Sequence, residues 1–242
     1  MINFLATHVL NFFDYFHKKK IIKKLRELNA KIPLKIVFDI GGHNGETVNL
    51  LLKNMRIENI YSFEPSKSSF AILLKATNRL KKRFQDTNIF IENFAIGNES
   101  KKVDFNFLSE TSSSTMKPLN ENSKYFKKKE NIFGKLVKEK IIIEQIDFKE
   151  YLLKNDIKKI DLLKIDTEGY ELEVLKGLKE LISNVSIILF EHHYDNMIVK
   201  NYTFSDIHKL LTERNFKRVF KIKMPFRKSF EYIYTKKLSK NI

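Results

Sequence analysis

Three acidic residues stand at the ends of three apolar segments that are typical of β-strands. Asp39 ends the segment IVFD, Glu64 follows IYSF, and Asp166 follows DLLKI. Because the carboxyl ends of parallel strands meet at one edge of an α/β sheet, these carboxylates are predicted to share one crevice, where such sheets bind ligands. Carboxylates there suit a ligand with several amino and hydroxyl groups. The chain has no cysteine, which excludes a thiolate nucleophile and disulfides.

The glycine-rich turn after Asp39 indicates what kind of ligand enters the crevice. Glycines at 41, 42 and 45 do not have the G-x-G-x-x-G spacing of a dinucleotide fingerprint, and Asp39 would repel a pyrophosphate. A cationic or zwitterionic ligand fits better, because a carboxylate can receive an ammonium group while the bare backbone of Gly41 and Gly45 lets the ligand approach.

Residues at the next two strand ends complete the predicted cofactor site. Glu64 follows the second strand, where an acidic residue accepts both hydroxyls of a ribose. Asn93 and Phe94 follow the third strand and are predicted to lie beside an adenine ring. An amino-acid ammonium at one end and a ribose at the other describe S-adenosylmethionine.

The motifs of this chain resemble those of the FkbM family of S-adenosylmethionine-dependent methyltransferases. The matching stretches are VFDIGGHNGETV, YSFEPS, ENFAIGN, SSST, DLLKIDTEGYELEVLKG and ILFEHH, within residues 36–195. The resemblance implies the class I methyltransferase fold and O-methylation of a hydroxyl on a sugar or natural-product scaffold. Gly42 stands where the family more often has alanine.

Methyl transfer to an alcohol needs a group that accepts the hydroxyl proton as the new bond forms. The candidates are Asp166 and Glu168 after the fourth strand, and Glu191, His192 and His193 after the fifth. His193 matches the E-x-H pattern of the family and is favoured over His192 as the proton acceptor. Asp166 is predicted to face the methionine end of the cofactor, where it orients the acceptor or acts as the base. Glu168 binds the acceptor hydroxyl or caps the next helix. The carboxylate oxygens of these residues could also bind Mg²⁺. The spacing of the residues does not require a metal site, and we predict none.

Strands and helices alternate along the chain after Pro33. The pattern predicts an α/β fold with a mostly parallel sheet, an antiparallel edge strand and helices on both faces, which with the resemblance is the class I methyltransferase (Rossmann-like) fold. We expect residues 1–32 to form an N-terminal amphipathic helical extension and residues 33–242 the methyltransferase domain. Residues 101–108 are expected to form a hairpin with the strand before them. The serine-rich segment 109–134 is expected to be a lid or a solvent loop.

The charge of the chain bears on its partners. A formal net charge of +16 includes mild basic clusters at Lys18–Lys24, Lys127–Lys129 and Lys217–Lys228, and we expect an evenly spread positive surface rather than a nucleic-acid site. Residues 3–24 place aromatic residues before lysines, which also suits peripheral contact with a membrane. No stretch approaches transmembrane length. We therefore expect a cytoplasmic protein, with a peripheral position at the inner membrane face as the alternative.

Two other functions stay open from the sequence. A nucleic-acid methyltransferase would suit the positive charge, but enzymes of this fold that methylate base nitrogens typically carry an (N/D)-P-P-(Y/F) turn after the fourth strand. This chain has Asp166-Thr167-Glu168-Gly169 there. A non-catalytic cofactor-binding scaffold in glycan assembly is the other alternative. We expect an O-methyltransferase that methylates a sugar or glycan precursor, without a nucleic-acid partner; no feature predicts its oligomeric state.

Overall fold

The computed structural model describes residues 2–109 and 111–237, with side chains from Phe13 onwards. The described helices are α1 (Ile2–Asn29), α2 (Glu46–Asn54), α3 (Lys67–Arg83), α4 (Lys124–Phe133), α5 (Phe148–Lys154), α6 (Glu171–Gly177) and α7 (Phe204–Glu213). The described strands are β1 (Ile36–Ile40), β2 (Asn59–Phe63), β3 (Asn88–Glu92), β4 (Ala95–Gly97), β5 (Lys101–Leu108), β6 (Lys138–Asp147), β7 (Ile160–Ile165), β8 (Val185–His193), β9 (Phe216–Lys223) and β10 (Ser229–Lys236). Short 3₁₀ helices cover Thr111–Ser113 and Lys179–Asn184.

The main sheet has seven strands in the order β3–β2–β1–β7–β8–β10–β9. The first five are parallel, whereas β10 pairs antiparallel with both β8 and β9. The direction of winding reverses between β1 and β7, which makes the carboxyl ends of these two strands the switch point where ligands of such sheets bind. The predicted mostly parallel sheet with an antiparallel edge is confirmed.

Helices cover both faces of this sheet, as predicted. In β1, Val37 packs with residues of α1, α2 and α3 on one face, while Phe38 packs with residues of α5, α6 and α7 on the other. Successive side chains of a strand point to opposite faces, so one strand serves both cores. Every residue of β7 is buried, because this central strand is covered on both sides.

The N-terminal segment forms the single helix α1, and its second half packs on the sheet. Ile21, Ile22 and Leu25 are buried in the same core as Val37. The side chains of residues 3–12, on which part of the expected membrane contact rests, lie outside the described side chains. No helix in the described residues is long and apolar enough to cross a membrane.

A second, three-stranded sheet corrects one expectation. Residues 101–108 form β5, but this strand pairs antiparallel with β6 in the order β4–β6–β5 rather than with β3. Phe105 packs against Ala95 and Ile143 in a small core of this sheet. The partner of β5 begins 30 residues further along the chain, so local alternation could not identify it. The intervening segment contains α4, which Ser123 caps by accepting from the Phe126 N–H at 3.1 Å.

The turn from β1 into α2 closely approaches the end of β7. The Asp166 N–H donates to the Ile40 carbonyl oxygen at 2.9 Å. Gly41 has a φ of +89°, and a Cβ atom at this position would lie 1.9 Å from the Asp166 carbonyl oxygen. Glycine is therefore required for these two strand ends to meet.

We predict that Gly41→Ala lowers the free energy of unfolding by more than about 3 kcal/mol, because a methyl group would overlap backbone that cannot move aside. Gly45→Ala is the matched control. Gly45 also has a positive φ, +79°, but a Cβ atom there would meet a movable side chain, Leu73, at 3.1 Å. A loss of about 1–2 kcal/mol is expected for the control. Equal losses in urea unfolding would contradict the close approach at Gly41.

Candidate active site

Lys164 lies between two of the predicted carboxylates. Its Nζ atom is 3.2 Å from Asp39 Oδ1 and 3.3 Å from Asp166 Oδ2. It also donates to the Gly41 carbonyl oxygen at 3.4 Å, while Ser62 Oγ donates to Asp39 Oδ2 at 3.0 Å. One buried cation thus joins β1, β7 and the glycine turn.

Burial and charge set the protonation states of these groups. Burial raises the pKa of Asp39, and Lys164 only partly offsets this. Burial lowers the pKa of Lys164, but the carboxylates of Asp39 and Asp166 outweigh it and the pKa is raised. Burial also opposes ionisation of Asp166, but Lys164 and His193 hold its pKa below the ordinary value. Lys164 is therefore a cation and Asp166 an ionised carboxylate, whose side chain is 35% exposed to the cavity.

Glu64 is held at the end of β2 by two backbone donors. Its Oε2 accepts from the His43 N–H and its Oε1 from the Ser66 N–H, both at 2.9 Å. Burial raises the pKa of Glu64 to about 7 despite these hydrogen bonds. The side chain lines a cavity, and each oxygen keeps a second lone pair for a ligand hydroxyl.

Asn93 and Phe94 have different positions relative to this cavity. Phe94 lines it and packs against Phe63, with 5.8 Å between the ring centroids. Asn93 Nδ2 instead donates to the carbonyl oxygens of Glu64 and Pro65, at 2.8 and 3.2 Å. Asn93 therefore supports the loop that carries Glu64, and its contact with an adenine ring stays a prediction.

Three carboxylates surround His193, and two of them, Glu168 and Glu191, line the other end of the cavity with it. His193 Nε2 lies 3.2 Å from Glu168 Oε2 and 3.1 Å from Glu191 Oε1, and Nδ1 lies 3.6 Å from Asp195 Oδ2. Burial lowers the pKa of His193, but Glu168, Glu191 and Asp195 outweigh it and raise the pKa to about 10. His193 is thus an imidazolium ion at neutral pH. Burial raises the pKa of Glu191 above its ordinary value; His193 opposes this shift, and the charges of Asp166 and Glu168 add to it.

Strand β8 is longer than predicted, and it places the two histidines on opposite faces. It continues through Glu191 to His193 because β10 pairs with it, with Glu231 opposite Glu191. Alternation along the strand places Glu191 and His193 on the cavity side and His192 on the other. His192 lies among the rings of Tyr194, Tyr202 and Phe204, and burial lowers its pKa to about 3.

The segment after β5 covers the glycine turn and the end of β7. His43 Nε2 and Thr111 Oγ1 are 2.7 Å apart, and Thr115 Oγ1 donates to the Glu168 carbonyl oxygen at 2.6 Å. Glu168 has a φ of +50°, a conformation that costs free energy in a non-glycine residue and often occurs at functional sites. The Thr115 contact helps to hold this conformation and so aims Glu168 at His193.

One cavity of about 380 Å³ joins the two ends, within the size range of small-molecule sites. The predicted site residues that line it are Gly41, Glu64, Phe94, Asp166, Glu168 and His193; Asp39, Gly45 and Asn93 do not. Asp39 is fully buried beneath the glycine turn, and Gly45 is the N-cap residue of α2. Among the described residues, no group of three or more His, Asp or Glu side chains is arranged to hold a metal ion.

Sequence reasoning missed the contribution of α1 and the β9–β10 turn to this cavity. His17 of α1 contacts the carboxylate of Glu231 on β10. Arg227 Nη2 lies 3.1 Å from Asp14 Oδ2. All four residues line the cavity, but they belong to no motif. The only signal in the sequence was that Asp14 is the one Asp, Glu, Lys or Arg residue among the first 17 residues.

The fold and the comparisons together define the class. A structure of magnesium protoporphyrin IX methyltransferase (ChlM) from Synechocystis PCC 6803 with bound SAH is similar, with a TM-score of 0.52 and 9% sequence identity, over 94% of this chain and 85% of that chain. The methyltransferase FkbM from Methylobacillus flagellatus KT gives a TM-score of 0.54 at 15% identity, over 83% of this chain and 43% of that chain. The fold is that of the class I S-adenosylmethionine-dependent methyltransferases.

The family follows from the sequence model of the methyltransferase FkbM domain, which matches residues 39–218. The chain belongs to the FkbM methyltransferase family, as the sequence motifs predicted. It spans less than half the length of the Methylobacillus protein. No curated protein matches the sequence.

The residues present fit the cofactor of this class on chemical grounds. An ionised carboxylate, Asp166, faces the cavity beside a glycine turn, and Glu64 offers acceptor oxygens at the adjacent strand end. Phe94 supplies an apolar ring close to Glu64. These groups match an ammonium, a ribose and a purine in the order in which they occur in S-adenosylmethionine.

We predict that Lys164→Met lowers the free energy of unfolding by about 3 kcal/mol or more, because it leaves Asp39 buried without its cation. Lys35→Met is the control, since the Lys35–Glu58 pair is more than half exposed on both sides and its loss should leave stability nearly unchanged. Urea unfolding of the three proteins measures the difference. If Lys164→Met unfolds at the same urea concentration as the wild-type protein, the charge of Lys164 does not stabilise the crevice.

Proposed function

We propose that this protein is an S-adenosylmethionine-dependent O-methyltransferase that methylates a hydroxyl of a sugar or glycan precursor. The observation that carries the proposal is the group of Asp166, Glu168, Glu191 and His193, which lies in the same cavity as the glycine turn and Glu64. A hydroxyl that enters between these two sets of residues would meet both the cofactor and the groups that take its proton.

In this proposal Asp166 receives the ammonium group of the cofactor, and Glu64 accepts the ribose hydroxyls. Asp39 acts indirectly, since it fixes Lys164, which in turn orients Asp166. Phe94 lies against the purine. S-adenosylmethionine, when bound, supplies a methyl group on a positively charged sulfur. The protein mainly has to align the acceptor oxygen with that methyl group.

The oxygen–methyl bond forms as the sulfur–methyl bond breaks, and the hydroxyl proton has to leave. The sequence favoured His193 as the proton acceptor, but as an imidazolium ion it has no free lone pair to accept a proton. We therefore assign proton acceptance to Glu191, because a carboxylate whose pKa is raised to about 8 is, in its ionised form, a better base than an ordinary one. His193 is a positioning residue that holds Glu168 and Glu191, and Glu168 accepts a hydrogen bond from the acceptor hydroxyl.

The acidic character of this end of the cavity supports a hydroxyl-rich acceptor. Carboxylates accept hydrogen bonds from several hydroxyl groups at once, as a sugar ring presents them. The same carboxylates repel the phosphodiester backbone of a nucleic acid, whose binding depends on neutralised phosphates. The site therefore favours a sugar over RNA or DNA, and its base and positioning residues favour an enzyme over a scaffold.

The test is methyl transfer from labelled S-adenosylmethionine to a panel of free sugars, nucleotide-activated sugars and RNA, at several pH values. We expect label in a sugar. The rate should rise with pH through a step at about pH 8, because protonated Glu191 cannot accept a proton. Glu191→Gln should lower kcat by about 10²–10⁴-fold, remove that step and retain cofactor binding.

The matched control is Glu139→Gln, which changes an exposed carboxylate on β6 and should keep both the rate and the pH step. Label in RNA alone would refute the sugar assignment. Cofactor binding without transfer to any acceptor would support the scaffold. If Glu191→Gln keeps full activity and the same pH dependence as the wild-type protein, Glu191 is not the proton acceptor.

A further inference from the structure

Three separate segments of the chain each place aromatic residues next to a run of basic residues. They are FDYFHKKK at 13–20, YFKKKENIF at 125–133 and MPFRK at 224–228. Together they contain eight basic and two acidic residues, and seven of the eight basic residues are lysine. These segments belong to α1, α4 and the β9–β10 turn, which are far apart in the sequence.

The fold brings the three segments to one place, the mouth of the active-site cavity. Lys18, Lys128, Phe133, Phe226 and Arg227 all line that cavity. The rings of Phe13 and Phe226 are in contact, with 5.1 Å between their centroids. We call the segments 13–20, 125–133 and 224–228 together the mouth surface.

Five of the seven Phe and Tyr rings of the mouth surface are exposed, whereas Phe126 is buried and Tyr125 half-buried. Phe226 is 56% exposed, Tyr15 55% and Phe133 49%. Large apolar side chains that are exposed around a cavity and rimmed by charge mark an interaction site more often than chance. Lys19 lies over the ring of Tyr15, 4.4 Å from its centroid, so the basic and aromatic groups are interleaved.

We propose that the mouth surface docks on an anionic lipid bilayer. Aromatic rings enter the interfacial region of a bilayer, while lysines beside them are attracted to negatively charged headgroups. The sequence suggested that three basic clusters belong to an evenly spread surface charge. Each of them contributes residues to the mouth surface: 18–20, 127–129 and 227–228. Docking would place the cavity mouth at the bilayer surface, facing acceptors that lie in or on the membrane.

Lipid fits this surface better than two other occupants. Nucleic-acid recognition favours arginine, whose planar fork matches phosphate and stacks on bases, whereas this surface is almost entirely lysine. The carboxylates that line the cavity directly inside its mouth would repel a nucleic-acid strand that entered the cavity. A second copy of the chain would bring two strongly basic surfaces together, which is unfavourable.

Sedimentation of the purified full chain with vesicles tests the proposal and needs no acceptor, so it is independent of the proposed reaction. We expect binding to equimolar phosphatidylcholine–phosphatidylglycerol vesicles that weakens with salt, and little binding to phosphatidylcholine alone. Replacing Lys127, Lys128 and Lys129 by glutamine should weaken binding about 100-fold. Phe133→Ala with Phe226→Ala should weaken it about tenfold.

Matched controls remove the same charge or ring elsewhere. One control variant has glutamine in place of Lys101, Lys102 and Lys140, which are exposed on the smaller sheet. The other is Phe90→Ala, at an exposed ring on β3. Both variants should retain most of the vesicle binding. Circular dichroism verifies that each variant is folded. Equal loss in controls and mouth variants would overturn the proposal, as would equal binding to neutral vesicles. Binding to single-stranded RNA but not to vesicles, or dimerisation through this surface, would also overturn it.

Discussion

The buried contact of Lys164 with Asp39 and Asp166 is the interaction on which the rest of the site depends. A carboxylate as deeply buried as Asp39 is stable only beside a compensating charge, and Lys164 supplies that charge from the neighbouring strand. The same ammonium group holds Asp166 ionised at the cavity wall and reaches the glycine turn. Lys164 therefore links β1 to β7, fixes the position of the glycine turn and keeps Asp166 negatively charged for a ligand.

A second set of opposite charges lies around His193, at the end of the cavity where we propose that the acceptor binds. His193 is surrounded by carboxylates that keep it protonated, and its positive charge allows Glu168 and Glu191 to approach each other. Both His193 and Glu191, the proposed base, lie on β8, whose length depends on pairing with β10. Because β10 also carries Glu231, which contacts His17, the acceptor end is coupled to α1. The cavity around His193 is thus in contact with segments outside the matched family region of residues 39–218.

Sequence reasoning recovered the features that local patterns determine. The apolar strands, the glycine turn and the strand-end carboxylates predicted the sheet and the family, because hydrophobic alternation and glycine spacing are local. It missed the pairing of β5 with β6 and the extension of β8, since both depend on partners distant in the chain. It also assigned Asp39 to the cofactor, because a sequence does not reveal that Lys164 covers this carboxylate. Protonation of His193 likewise follows from three carboxylates that only the fold assembles.

The central claim is that negative charge at the end of β7 holds the positively charged amino-acid part of the methyl donor. Calorimetric titration with S-adenosylmethionine and with methylthioadenosine, which lacks that part, tests it in the native protein and in Asp166→Asn. We predict that the substitution weakens the binding of S-adenosylmethionine about tenfold or more and leaves the binding of methylthioadenosine unchanged. Equal effects on both ligands, or no heat from S-adenosylmethionine with well-folded native protein, would contradict it.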